Sequence, residues 1–107
     1  MKIIYNRIIP GKGFAAINLF GVVFARKECN PLSKRSINHE RIHTAQMKEM
    51  CYVFFYLWYG IECVVLLLKY RNREKAYYNI RFEKEAYKYE TDKEYLKRRK
   101  LYSWIKN

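Results

Sequence analysis

The chain is poor in the residues from which metal and redox sites are most often built. It has two histidines, His39 and His43, in 107 residues. Its three cysteines, Cys29, Cys51 and Cys63, make no C-x-x-C pair. That argues against a disulfide framework and against a cysteine zinc site, and it fits a reducing, cytoplasmic setting. Acidic side chains are scarce too: ten stand against 22 basic ones, for a formal charge of +12. Such an excess favours acidic partners (nucleic acid, an anionic membrane surface or an acidic protein) and also serves as a solubilising face. Neither an internal repeat nor a low-complexity linker is visible. Residues 14–25 have the apolarity of a signal-peptide core, but Ala25-Arg26-Lys27 is a poor cleavage site, which disfavours secretion.

Apolar residues and tyrosine make up half of the chain, and 18% of it is aromatic, which argues against disorder. A chain of this length is one domain, residues 1–107, with a single modest core. The isoleucine-rich residues 2–9 read as a strand, and Pro10-Gly11-Lys12-Gly13 as a turn. Residues 14–26 read as one or two short strands with Gly21 as a bend or bulge. The expected fold class is α+β: a small N-terminal antiparallel sheet in a β-rich part (1–33), followed by a mainly helical part (34–107). A second helical region is expected from about Ile80 to Arg99, where Phe82, Ala86, Tyr89 and Leu96 form an apolar stripe. The tail from Lys97 mixes a basic run with aromatics and can dock on the domain, touch a membrane interface or meet nucleic acid, a solvated helix end being the favoured reading.

Both histidines fall within Asn38-His39-Glu40-Arg41-Ile42-His43. On a helix, positions i and i+4 share a face, so two imidazoles can hold one metal ion about 2.0–2.1 Å from each ring nitrogen. Glu40 is spaced to work on water at that ion. This is the H-E-x-x-H pattern of zinc hydrolases, in which the glutamate is the general base. Ser33 and Ser36 are candidate N-caps, so the helix starts near Lys34 or Ile37. Gln46, one turn past His43, can hold water or a ligand side chain, or be an ordinary surface residue.

Catalytic zinc sites keep three protein ligands and one open position. With no further histidine, the third ligand is a carboxylate or a cysteine, and Phe82-Glu83-Lys84-Glu85-Ala86-Tyr87 offers two carboxylates. Helical periodicity does not choose between them, because Glu85 lies nearer the apolar stripe. The H-E-x-x-H pattern followed by this segment resembles the gluzincin zinc metallopeptidases, most closely the minimal gluzincins and the membrane-associated HtpX-type enzymes. It is similar, too, to small bacterial proteins that carry H-E-x-x-H-x-x-Q and then F-E-x-E-A. The resemblance implies a zincin-like minimal domain with Zn2+ held by His39, His43 and Glu83 (Glu85 being the alternative) and with Glu40 as base. The implied substrate is a peptide or protein. Where the family often has an aspartate four residues after its glutamate ligand, this chain has Tyr87.

Residues 50–68 are long and apolar enough to span a bilayer, although Glu62 would cost about 2.5–3.5 kcal/mol at a helix centre. A single straight crossing would put the histidines and Glu83 on opposite sides of the membrane. A buried element broken at Gly60 into a hairpin is therefore expected, with peripheral membrane contact through the Tyr52–Tyr59 face. The alternative to a hydrolase is a non-catalytic basic module that binds an anionic membrane or nucleic acid.

Overall fold

The structure, a computed structural model, describes residues 2–11 and 14–106. It is α+β, with a three-stranded sheet followed by helices. Strands β1 (Lys2–Asn6), β2 (Ala16–Leu19) and β3 (Val22–Arg26) lie in the order β1-β3-β2. The sheet is mixed where a wholly antiparallel one is expected: β2 runs antiparallel to β3, but β1 runs parallel to it. The connection between the parallel strands includes β2, and β3 is central, so among the described residues β2 keeps a free edge. Lys12 and Gly13 of the expected turn lie outside the described residues. Phe20 and Gly21, both at positive φ (54° and 88°), make the two-residue hairpin turn between β2 and β3.

Helix α1 (Lys34–Glu49) carries the motif, and the Ser33 side chain caps it by accepting from the Ser36 amide at 3.1 Å. Cys51 and Tyr52, at φ 52° and 58°, then reverse the chain into α2 (Val53–Tyr70). Helix α2 is continuous through Gly60, so the expected hairpin does not form. It is not a buried element either, since Phe55 is its one buried residue. Gly60 meets nothing within 4 Å and imposes no break, and apolar neighbours on both sides carry the helix through.

Arg71, in the left-handed conformation, stops α2. Asn72 then caps α3 (Arg73–Asn79), which packs back against α2. This return resolves the topological difficulty, because it brings the next helix, α4 (Arg81–Tyr89), beside the middle of α2 without breaking α2. There the Arg81 amide donates to Glu62 Oε1 at 2.6 Å. The helical region expected from about Ile80 to Arg99 is α4 and the single-turn α5 (Tyr95–Arg98), while α3 precedes it as a helix the sequence pattern does not announce.

Three small clusters form the core. Met47, Phe55, Ile80, Phe82 and Trp104 join α1, α2, α4 and the C-terminal 3-10 turn. Val23, Ala25 and Leu32 lie under the sheet, and Ile42, Ala86 and Tyr95 lie between α1, α4 and α5. Trp104 is buried, and Arg99 pairs with the buried Glu85 and with Glu49, so the tail docks inward and is no solvated end. A basic side chain enters here because two carboxylates already lie there to neutralise it.

Candidate metal centre

Helix α1 is fixed on both sides before its side chains converge. Asn18 of β2 donates to the Glu40 carbonyl at 3.0 Å and to Thr44 Oγ1 at 2.9 Å. Asn38 donates to the carbonyls of Tyr89, Glu90 and Asp92 at 3.0–3.2 Å. The first clamp holds the sheet to the motif, and the second holds the end of α4 against the start of the motif.

Between those clamps, His39 Nε2, His43 Nε2 and Glu83 Oε1 meet. The two nitrogens lie 3.1 Å apart, and the carboxylate oxygen is 3.2 Å from His39 and 2.9 Å from His43. All three residues are buried. The other ring nitrogens are already engaged. His39 Nδ1–H donates to Glu90 Oε2 at 2.8 Å, and His43 Nδ1–H donates to Gln46 Oε1 at 2.8 Å. With Nδ1 protonated on both rings, each Nε2 presents a lone pair towards the same point. Two lone pairs and a carboxylate oxygen repel one another unless a cation, proton or metal, lies among them.

The donor set fits a metal. Ligands about 2.05 Å from a tetrahedral ion lie about 3.3 Å from one another, close to the three separations seen here. Carboxylate and glutamine acceptors behind the ring nitrogens are the usual means of fixing ligand tautomer and orientation. Of the two candidate carboxylates, Glu83 meets the histidines. Glu85 faces the other way, accepting from Tyr95 Oη at 2.6 Å, from Gln46 Nε2 at 2.9 Å and from Arg99.

Glu40 lines the cleft over this cluster, and its ligand atom lies within 4.8 Å of those of His39 and His43. Burial raises its pKa, against the lowering influence of His43 and His39. Burial would likewise raise Glu83, but His43 and the hydrogen bonds from His39, His43 and Tyr59 hold it well below the usual carboxylate range. His43 is pushed up to about 9: burial opposes its charge, and Glu83, with help from Glu40 and Gln46, overcomes that.

The cleft has a volume of about 660 Å³ and runs between β2 and α2. Its walls are largely apolar, with Ile9, Phe14, Ile17, Phe55 and Tyr56 among them. Two tyrosine hydroxyls add polarity. Tyr59 donates to Glu83 Oε2 at 2.7 Å, and Tyr77 Oη lies 2.9 Å from that of Tyr87. Burial first, and then the Glu83 charge, raise the pKa of both Tyr59 and Tyr77, so they stay neutral donors.

Several of these residues escape sequence reasoning to different degrees. Gln46, expected to be an ordinary surface residue as readily as a functional one, is fully buried and links His43 to Glu85. Glu90 supplies the carboxylate behind His39, while Tyr87 packs its ring edge-on 4.5 Å from that imidazole. Glu83, Tyr87 and Glu90 follow i, i+4, i+7 spacing on one helical face, so Glu90 could be found by extending that face one turn. Tyr59 and Tyr77 carry no such signal among eleven tyrosines.

No family model, curated protein or solved structure matches the chain.

Proposed function

We propose that this chain is a zinc-dependent hydrolase that cleaves peptide bonds, with His39, His43 and Glu83 as metal ligands and Glu40 as the proton acceptor. One observation carries the reading: three buried ligand atoms converge within 3.2 Å of one another, both histidine tautomers being fixed by Glu90 and Gln46. The resemblance to gluzincins in the H-E-x-x-H pattern and the Phe82–Tyr87 segment supports the same assignment.

A bound zinc ion supplies Lewis acidity at the meeting point and brings the pKa of water there towards about 7. Glu40, in the cleft wall, takes the proton of the attacking water and returns it to the departing nitrogen. Burial, which raises its pKa, makes it a stronger base than an exposed carboxylate. Tyr77, neutral and lining the cleft, is placed to donate to the carbonyl oxygen as negative charge develops there. Along the cleft, the free edge of β2 offers backbone groups to an extended peptide, and the apolar walls favour apolar side chains.

Two measurements test this. Elemental mass spectrometry of the purified protein is expected to find about one zinc per chain, lost in His43→Ala. Glu40→Gln is expected to keep the metal and lose peptide hydrolysis by at least about 100-fold, in line with removal of a general base. A protein that stays metal-free after zinc is supplied and excess removed would overturn the reading.

A further inference from the structure

Helix α2 has two unlike faces. Phe55 is buried, and Tyr59, Cys63 and Leu66 pack against the core. The opposite face carries Phe54, Leu57, Ile61, Val64, Val65 and Leu68, at spacings of three and four residues. Every one of them is more than half exposed, from Leu57 at 55% to Leu68 at 73%. Beside this stripe, Trp58 packs edge-on against Trp104, with ring centroids 5.0 Å apart, and the exposed Ile105 follows Trp104 in the chain. An exposed apolar surface running over two elements marks a docking site, not a scatter of single residues.

Charge selects the occupant. The chain carries +12, so a second copy brings the same charge and is repelled, whereas an anionic surface attracts it. Exposed Lys69, Arg71 and Arg73 sit at the C-terminal end of the stripe, where their stems reach along apolar surface and their heads reach phosphate.

The helix does not cross the bilayer. At about 27 Å it is long enough, and its composition is that of a candidate span. But α3 packs along it, and a crossing would drag Arg73, Glu74 and Lys75 into hydrocarbon. We propose that the outward face of α2 seats the protein on an anionic bilayer, with the helix lying in the plane of the headgroup–acyl boundary.

Co-sedimentation of the full chain with phosphatidylcholine vesicles, with and without phosphatidylglycerol, tests this. The variant is Ile61→Gln/Val65→Gln/Leu68→Gln, which leaves the charge unchanged and alters only exposed side chains, so its thermal melt should match the parent. Expected is binding that requires phosphatidylglycerol, is released by salt and by alkaline carbonate, and weakens at least about tenfold in the variant. Binding that survives the substitutions, or does not need the anionic lipid, overturns the proposal. So does retention in the membrane after carbonate, which would mean a span. Absence of vesicle binding overturns it as well, and a dimer that the variant dissociates would then identify a second copy as the occupant. None of these results bears on the metal content of the site.

Discussion

The metal-free cluster is expected to make stability fall with rising pH, and zinc is expected to reverse that slope. In the metal-free fold, His43 holds a proton up to about 9, against an ordinary value of 6.5, because Glu83 outweighs the burial that would strip it. At intermediate pH the folded chain therefore binds a proton that the unfolded chain has released. Stability declines with pH wherever the folded state binds more protons. The His43 contribution is thus complete below pH 6.5 and gone once the pH has passed about 9. At 1.36 kcal/mol per tenfold change, the interval amounts to about 3 kcal/mol, or roughly 10–20 °C in Tm for a domain of this size. Glu83, held low, contributes with the opposite sign: its share is present above 4.5 and is lost only in acid. It is the other half of the same ion pair, so the energy is counted once. Zinc needs the His43 Nε2 lone pair, and its binding expels that proton, so metal stabilisation grows with pH. Thermal melts between pH 6 and pH 9, with chelator and with zinc, read both slopes across the span of the His43 shift. A chelated protein whose Tm is flat or rises over this interval would refute the reasoning, as would zinc that leaves the slope unchanged.

Glu90→Ala removes the acceptor of His39 Nδ1–H and should cost about 10–100-fold in zinc affinity, measured by competition with a chromophoric chelator. Gln46→Leu should cost a similar factor through His43, with an added loss of stability because Glu85 also loses a donor. Arg99→Met strands Glu85 and Glu49 in the interior and should destabilise the fold by about 3–5 kcal/mol in urea unfolding. Phe82→Ala empties the centre of the aromatic cluster and should cost about 3–5 kcal/mol by the same assay.

The motif helix was legible because its signals are local. The cap at Ser33, the i, i+4 histidines and the apolar positions of α1 lie within seventeen residues of one another. The strands were legible for the same reason, but the parallel pairing of β1 with β3 was not, since a crossover is decided by what packs beneath it. The misreading of α2 is more instructive. A hairpin at Gly60 is one way to return Glu83 to the histidines, yet the return is made later, by the left-handed Arg71 and the Asn72 cap. Those two residues carry a turn signal that only the tertiary distance makes decisive. Burial of Gln46 and Arg99 was illegible for a related reason: a polar side chain enters a core only where partners from distant segments await it, and no local pattern reports that.

The same partners imply that the site and the fold are one object. His39, His43, Gln46, Glu83 and Glu85 are all buried, and they lie between Ile42 and Ala86 on one side and Met47, Phe55 and Phe82 on the other. An unpaired polar group is costly in so small a core, and although Trp104 Nε1 is buried there without a partner, each member of this set is answered by a neighbour. Gln46 answers His43 with its oxygen and Glu85 with its nitrogen, and Arg99 closes the chain from the tail. Within this set, acceptors meet without a fixed donor in the space among His39 Nε2, His43 Nε2 and Glu83 Oε1. A proton on His43, which its raised pKa favours, answers it in the metal-free protein; on the proposed reading a divalent cation would replace that proton, and folding and metal binding would then draw on the same interaction. A metal ligand lost by mutation should therefore lower stability as well as metal content, whereas Glu40, beside the three-atom contact but with no hydrogen bond into it, should affect turnover and leave the fold intact.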